Sequence, residues 1–281
     1  MKTDTLKKSL LDYAIKGKLT AKFRRENSEL SAFDELEIYN DNIKQKRKNL
    51  EKELNKCEKE FKLEKDKDKK ALFKSQIQSL KKEIVKCKEI TPLNLSEAPF
   101  EIPNSWAWVK LGDICEMKKG PFGSAITKDM FIPNGNNAVK IYEQKNAIQK
   151  SETLGEYYIS LEHFEKLKQF EVFENDIIVS CAGTIGEIFR IPKNAPKGII
   201  NQALMKIKLV NEEWIPYFMI FFDFLIKQKS QENSKGSAIK NIPPLDILKN
   251  FSIPLPPLCE QEHIVQTLDT LFTLKKGLRV D

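Results

Sequence analysis

Between Phe33 and Ile90 the chain contains neither glycine nor proline. So long a run without a helix breaker admits little besides helix. Apolar residues recur along it at Leu36, Ile43, Leu50, Leu54, Cys57 and Phe61, and again at Phe73, Ile77, Leu80, Ile84 and Cys87. These spacings, seven or alternating three and four, are those of a coiled-coil seam. KLEKDKDKKAL separates the two runs and breaks their phase. One continuous helix would reach roughly 85 Å at about 1.5 Å per residue, with its two seams pointing in different directions. An antiparallel hairpin turning near Lys65 to Lys70 lets each seam bury the other and is the favoured expectation.

The same segment sets the electrostatics. Residues 41–90 hold 17 Lys/Arg and 10 Asp/Glu, a net of +7, which equals the net charge of the whole 281-residue chain. Such a bias suits a nucleic-acid partner, but carboxylates interleave with the lysines, and a solvated helix face accounts for most of them. Cys57, Cys87, Cys115, Cys181 and Cys259 form no C-x-x-C pair, and the histidines are only His163 and His263. No zinc site is expected, and the pattern reads as reduced, cytoplasmic and free of metal and cofactor. MKTDTLKKSL lacks the apolar core of a signal peptide, and the longest apolar stretch, 214–226, contains Pro216 and Asp223. That stretch is too short to span a bilayer, so no membrane partner is expected.

Around this segment the chain changes character twice. Residues 4–16 place Leu6, Leu10, Tyr13 and Ala14 on one helical stripe that needs a packing partner, and Gly17 stops the helix. TPLNLSEAPFEIP, at 91–103, has three prolines and reads as a linker. After it come β-prone runs at 106–114, 137–142, 176–183, 186–192, 204–210 and 251–256, with helical patterns at 160–169, 212–228 and 244–249. PLPPLCEQEHIV, at 254–265, is a strand-to-helix junction: its prolines forbid helix before Leu258, and a helix with an apolar face follows. The expected class is α+β, one mixed α/β domain joined to long coiled-coil-like helices.

The usual catalytic signatures fail one by one. NIPPLD, at 241–246, approaches the Asn/Asp-Pro-Pro-aromatic signature of amino-methyltransferases, but Ile242 intervenes, Leu245 replaces the aromatic, and no glycine-rich cofactor turn precedes it. Glu-x-Lys triplets at 116–118 and 143–145 fit a metal-dependent nuclease, yet in so lysine-rich a chain they arise by chance. Ser180-Cys181 lacks the flanking glycine of a nucleophile elbow, and no Walker-type loop is present. What remains is a binder, with four loops mixing glycine, hydroxyls, amides and lysines: 117–128, 181–187, 192–203 and 233–244. Glycine lets a backbone N–H approach a phosphate, Ser and Lys contact its oxygens, and Asn or Gln can read an adenine edge.

Several words, in this order and spacing, resemble one family. They are LLDYAIKGKLT (10–20), PFEIPNSWAWVKLGDI (99–114), KKGPFGSAI (118–126), NDIIVSCAGTIGEI (175–188), INQALMKIKL (200–209) and GSAIKNIPPLDILKNFSIPLPPLCEQEHIV (236–265). The chain thereby resembles the specificity subunits of type I restriction-modification systems over nearly all its length except the 33–90 insert. With the helical hairpin (33–90) and the linker (91–99) read from the residue pattern, the resemblance implies an N-terminal helical conserved region (1–32), a target-recognition domain (100–256) and a C-terminal spacer helix (257–281). It implies a subunit with no catalytic step of its own that reads one half of a bipartite site in double-stranded DNA. Its partners would be the methyltransferase and restriction subunits. Only one recognition domain is present where a full subunit has two, so the chain looks like a half-subunit, able to pair with a second copy through its helices, or like a truncated fragment.

Within that frame the expected phosphate contacts are Lys118, Lys119, Ser124, Lys235, Ser237 and Lys240, which lie beside glycines. The expected base readers are Asn201, Gln202, Lys140, Lys145 and Asn241, although the amides serve equally well as fold-stabilising hydrogen bonders. Trp106 and Trp108 are expected in the core and at its rim. Helix packing falls to Leu268, Leu271 and Phe272 at the C-terminus and Leu6 and Leu10 at the N-terminus. Two other classes stay open: a coiled-coil adaptor that binds no DNA, and a metal-dependent endonuclease using Glu143.

Overall fold

The computed structural model describes residues 2–94, 96, 98–232 and 242–277. Helix α1 (Lys2–Ile15) ends at Gly17, whose φ of +67° is a left-handed cap that a side chain would strain. A short α2 (Ala21–Glu26) follows, and then α3 (Ala32–Leu63), which opens on Ser31 accepting from the Asp34 N–H at 3.3 Å.

The hairpin forms as the seams require: α3 reverses into α4 (Lys67–Lys86). Two carboxylates make the turn, not glycine or proline. Glu64 accepts the N–H groups of Lys65 and Asp66 at 2.8 and 3.0 Å, and Asp66 caps α4 by accepting those of Asp68 and Lys69. The reversal therefore comes at Glu64–Asp66, the early edge of the expected stretch. Cys57 is buried opposite Phe73 and Gln76, and Asn40 closes the base through reciprocal bonds to Ile90 at 2.9 and 2.8 Å. Lys81 pairs with Glu58 across the two helices.

Strand β1 (Ala107–Lys110) runs into a one-turn α5 (Leu111–Ile114) and then β2 (Cys115–Lys119), so the single strand expected over 106–114 is broken by a helical turn. Next come β3 (Phe131–Ile132), β4 (Ala138–Tyr142), α6 (Gln144–Ile148), β5 (Tyr158–Ser160) and α7 (Leu161–Leu167). The strands β6 (Glu171–Val172), β7 (Ile177–Ser180), β8 (Ile188–Arg190), β9 (Gly198–Ile200) and β10 (Leu204–Leu209) follow. The chain then forms α8 (Ile215–Glu232), α9 (Leu245–Lys249), β11 (Ser252–Leu255) and α10 (Leu258–Gly277).

These strands make three sheets: β1-β11, β2-β10-β7-β8 and β3-β5-β4-β9-β6, antiparallel except for the β4–β9 pair. α8 covers the four-stranded sheet through Phe218, Phe222 and Ile226, while the five-stranded sheet buries Val139, Ile141, Ile159 and Ile199 around Phe164 of α7. Ile90, Leu36 and Ala32 at the hairpin base share the first of these cores, and the Leu93 N–H donates to the Trp108 carbonyl at 2.7 Å. The 91–99 segment thus does not separate two cores. Trp106 and Trp108 are both 2% exposed, so neither is a rim residue.

The helical end is clamped by one buried carboxylate. Glu260 accepts from Thr20 Oγ1, from Arg24 and, at 2.7 Å, from Trp106 Nε1, joining α2, the entry to β1 and α10. Glu35 of α3 reaches the first turn of α10 and accepts the Leu258 N–H. This explains the proline-rich junction: Pro254–Pro257 deliver a helix start whose first N–H, that of Leu258, is capped from the far end of the chain. Burial pushes the Glu35 carboxyl above its usual range, with the Leu258 bond opposing. Leu11, Ala14, Ile264 and Leu268 then pack α1 against α10, with Leu10 and Phe272 flanking. Leu6 does not join them: it is 49% exposed, because the stripe that buries Leu11 and Ala14 turns it outward; Leu271 is half-buried. Among the described residues no helix is long and apolar enough to cross a membrane.

Candidate functional site

Strands β2, β4, β7 and β9 end at residues 119, 142, 180 and 200, and the loops that leave those ends interlock. Gly120 donates its N–H to the Leu204 carbonyl at 2.8 Å and lies so close to the 201–202 backbone that a Cβ would stand 1.8 Å from the Asn201 oxygen. Glycine is therefore the residue that lets these two loops touch. The Asn201 N–H donates to the Tyr142 carbonyl at 3.0 Å, Gln144 donates to the Ala182 carbonyl, and the Cys181 N–H donates to the Ala203 carbonyl at 2.9 Å. Four segments, 119–125, 143–146, 181–187 and 201–203, form one end of the domain. Ile242 donates to the Cys181 carbonyl at 3.2 Å, so the described chain re-enters at the same end.

The 181–187 loop is fixed from within. Ser180 Oγ donates to the Thr184 carbonyl at 2.5 Å and accepts the Glu187 N–H at 3.0 Å, while Gly183 and Gly186 take φ of +65° and +79°. Gly183 meets nothing within 4 Å on its Cβ side, which leaves its backbone open to an approaching group. Burial pushes the Cys181 thiol up to about 11, with the charge of nearby Lys119 pulling the other way. This cysteine is a packed thiol, not a nucleophile.

The predicted residues divide along these lines. Lys119, Ser124 and Gln202 are exposed at the loop end, and Asn201 is there with its Oδ1 accepting the Ala203 N–H at 3.0 Å. Lys145 is close by, paired with Glu143 at 3.2 Å. Lys118, one position before Lys119 on β2, points to the other face of the sheet. Its ammonium donates to Gln169 at 2.7 Å and lies 5.0 Å from the Phe170 ring, and partial burial with Lys206 beside it lowers its pKa.

Lys140 requires a correction. It is 1% exposed, between the rings of Tyr142 and Tyr158, and donates to the carbonyls of Thr153 and Gly155 at 3.3 and 3.4 Å. Burial lowers its pKa. It anchors the 153–155 loop from inside and does not face a duplex. Pro192–Lys197, the first half of the third predicted loop, lies at the opposite end of β9 from Asn201. Lys235, Ser237, Lys240 and Asn241 lie outside the described residues.

Glu143, offered as a nuclease carboxylate, caps α6 in a capping box with Asn146. Among the described residues no group of three or more His, Cys, Asp or Glu is placed to hold a metal. Two residues at the loop end were not singled out from the sequence. Gln144 gave no signal, whereas Phe122, an aromatic between Pro121 and Gly123 in an otherwise polar loop, did.

The chain is similar to several curated proteins. It is 23% identical over 209 residues to the type I restriction enzyme EcoEI specificity subunit of Escherichia coli, covering 70% of this chain and 34% of that protein. It is 27% identical over 198 residues to the type I restriction enzyme MjaVIII specificity subunit of Methanocaldococcus jannaschii, covering 64% and 40%. The chain thus spans well under half the length of these curated relatives. The crystal structure of an HsdS subunit from Thermoanaerobacter tengcongensis aligns with a TM-score of 0.46 at 15% identity, over 88% of this chain and 51% of that one. The family model for the type I restriction modification DNA specificity domain matches residues 103–280, more than half of the chain, and the chain belongs to that family.

Proposed function

We propose that this chain is the sequence-reading unit of a type I restriction-modification complex. It recognises one half of a bipartite site in double-stranded DNA and directs an adenine methyltransferase subunit, and through it a nuclease subunit, to that site. The chain itself carries no catalytic step. The observation that carries this reading is the interlocked loop end, where Lys119, Ser124, Asn201 and Gln202 come together because Gly120 seats one loop on the other. Lys119 and Ser124 supply phosphate contacts that set the register, Gln202 and Asn201 offer amides to base edges, and Lys145 stands at the margin.

Two copies related by a twofold axis through the α1–α10 helices would give an inverted-repeat target with a fixed gap. The test is a genome-wide map of N6-methyladenine in cells with and without the gene. Loss of a single gapped motif is the expected result, and a palindromic motif would support the two-copy assembly. An unchanged methylation map in cells that express the intact partner subunits would overturn the reading.

A further inference from the structure

Resting on that reading, we infer that Phe122 is a wedge that inserts between adjacent base pairs of the bound duplex. Its side chain is 89% exposed, the most exposed large hydrophobic residue among those described. Other outward aromatics at this domain's surface are engaged: Tyr157 stacks on Phe131 at 4.5 Å, and Phe173 lies under the Lys206 ammonium. Phe122 instead stands at the crest of a loop pinned on both sides.

On one side Gly120 is locked against Asn201 and Pro121 is buried; on the other, Ala125 donates its N–H to the Phe122 carbonyl at 2.8 Å and Ile126 enters the core of the five-stranded sheet. The loop is thus held on both sides of the ring, and the ring itself stands in solvent. The backbone at Phe122 is extended, with φ −60° and ψ 149°. Next to it, Gly123 has nothing within 4 Å where a Cβ would be, and Ser124 and Lys119 are exposed.

An apolar wedge flanked by a lysine, a hydroxyl and an unobstructed backbone is the combination that unstacks a base step while phosphates are held on either side. Apolar side chains used this way kink a duplex by roughly 20–90°. The ring, not its neighbours, supplies the stacking contact, so its loss removes affinity without changing the number of phosphates neutralised.

The experiment uses the full chain, alone and with its methyltransferase subunit, on duplexes carrying the mapped motif with 2-aminopurine placed at successive positions. The wild-type protein is expected to raise fluorescence at one step. Phe122→Ala is expected to abolish that rise and to weaken binding roughly 10- to 100-fold, with the slope of log affinity against log salt unchanged. Phe122→Trp should retain both. Because the side chain is exposed, the melting temperature of each variant should match the wild type. An alanine variant that keeps its affinity and fluorescence overturns the wedge while leaving the DNA-reading function standing. So does one that loses only affinity for the methyltransferase subunit, which would assign Phe122 to a protein contact. A wild-type protein that binds no duplex in either form overturns both.

Discussion

The hairpin and the loop end use positive charge in opposite ways. Residues 41–90 hold 17 Lys/Arg against 10 Asp/Glu, and several of those cations pair with nearby carboxylates: Lys44 with Asp41 and Glu89, Arg47 with Glu51, Lys81 with Glu58, Lys86 with Glu83. Each such exposed pair contributes little to stability, but together they intermix the signs along the helices. The loop end has far fewer cations, set beside glycines, hydroxyls and amides. A chain's excess charge and its recognition surface therefore need not coincide. What marks the surface is the mixture of donors and the closeness of the loops that hold them.

The largest expected effect removes the buried carboxylate that ties α2 and the entry to β1 to α10. Glu260→Ala leaves Arg24, Trp106 Nε1 and Thr20 facing a gap and should cost roughly 3–5 kcal/mol in chemical denaturation, with Glu260→Gln costing less. Next is Gly120→Ala, which drives a methyl group into the Asn201 carbonyl. It should lower stability by about 1–3 kcal/mol and abolish duplex binding by prising the two loops apart. An alanine variant with full affinity would detach the loop end from recognition.

Lys140→Met should also cost roughly 1–3 kcal/mol, because the carbonyls of Thr153 and Gly155 lose their donor, yet leave the sequence preference of the folded protein intact. A changed preference would return Lys140 to the reading set. Lys119→Ala should weaken every duplex alike and reduce the salt slope by about one unit. The smallest expected effect sharpens the comparison most: changing Lys46, Lys48, Lys52 and Lys59 of the hairpin to glutamine should leave the salt slope where it was. A slope reduced by several units would place DNA on the hairpin instead.

The hairpin was legible because helical periodicity accumulates over many residues, and its turn was legible as a break in that periodicity. The short strands β3, β5, β6 and β9, two or three residues each, escaped notice: so short a segment carries no period, and they form because neighbouring strands supply their hydrogen bonds. Lys118 and Lys140 show the same limit within the candidate site. A lysine among glycines and β-prone residues reads as exposed, but alternation along a strand sends it to one face or the other, and only the packed sheets determine which face meets solvent.

The sequence by itself determined the long helical segment, in which it favoured a hairpin, the mixed α+β class, the family words and the kinds of side chain available for recognition. Those properties are local or additive, written in spacing and residue type. The tertiary structure alone decided that Gly120 would rest on Asn201, that Glu35 would cap a helix near the other end of the chain, that Lys140 would be spent inside, and that Phe122 would be left standing outside. Each of these turns on whether a contact exists between residues distant in sequence. Whether it forms depends on how whole sheets and helices exclude water together, which no local pattern records.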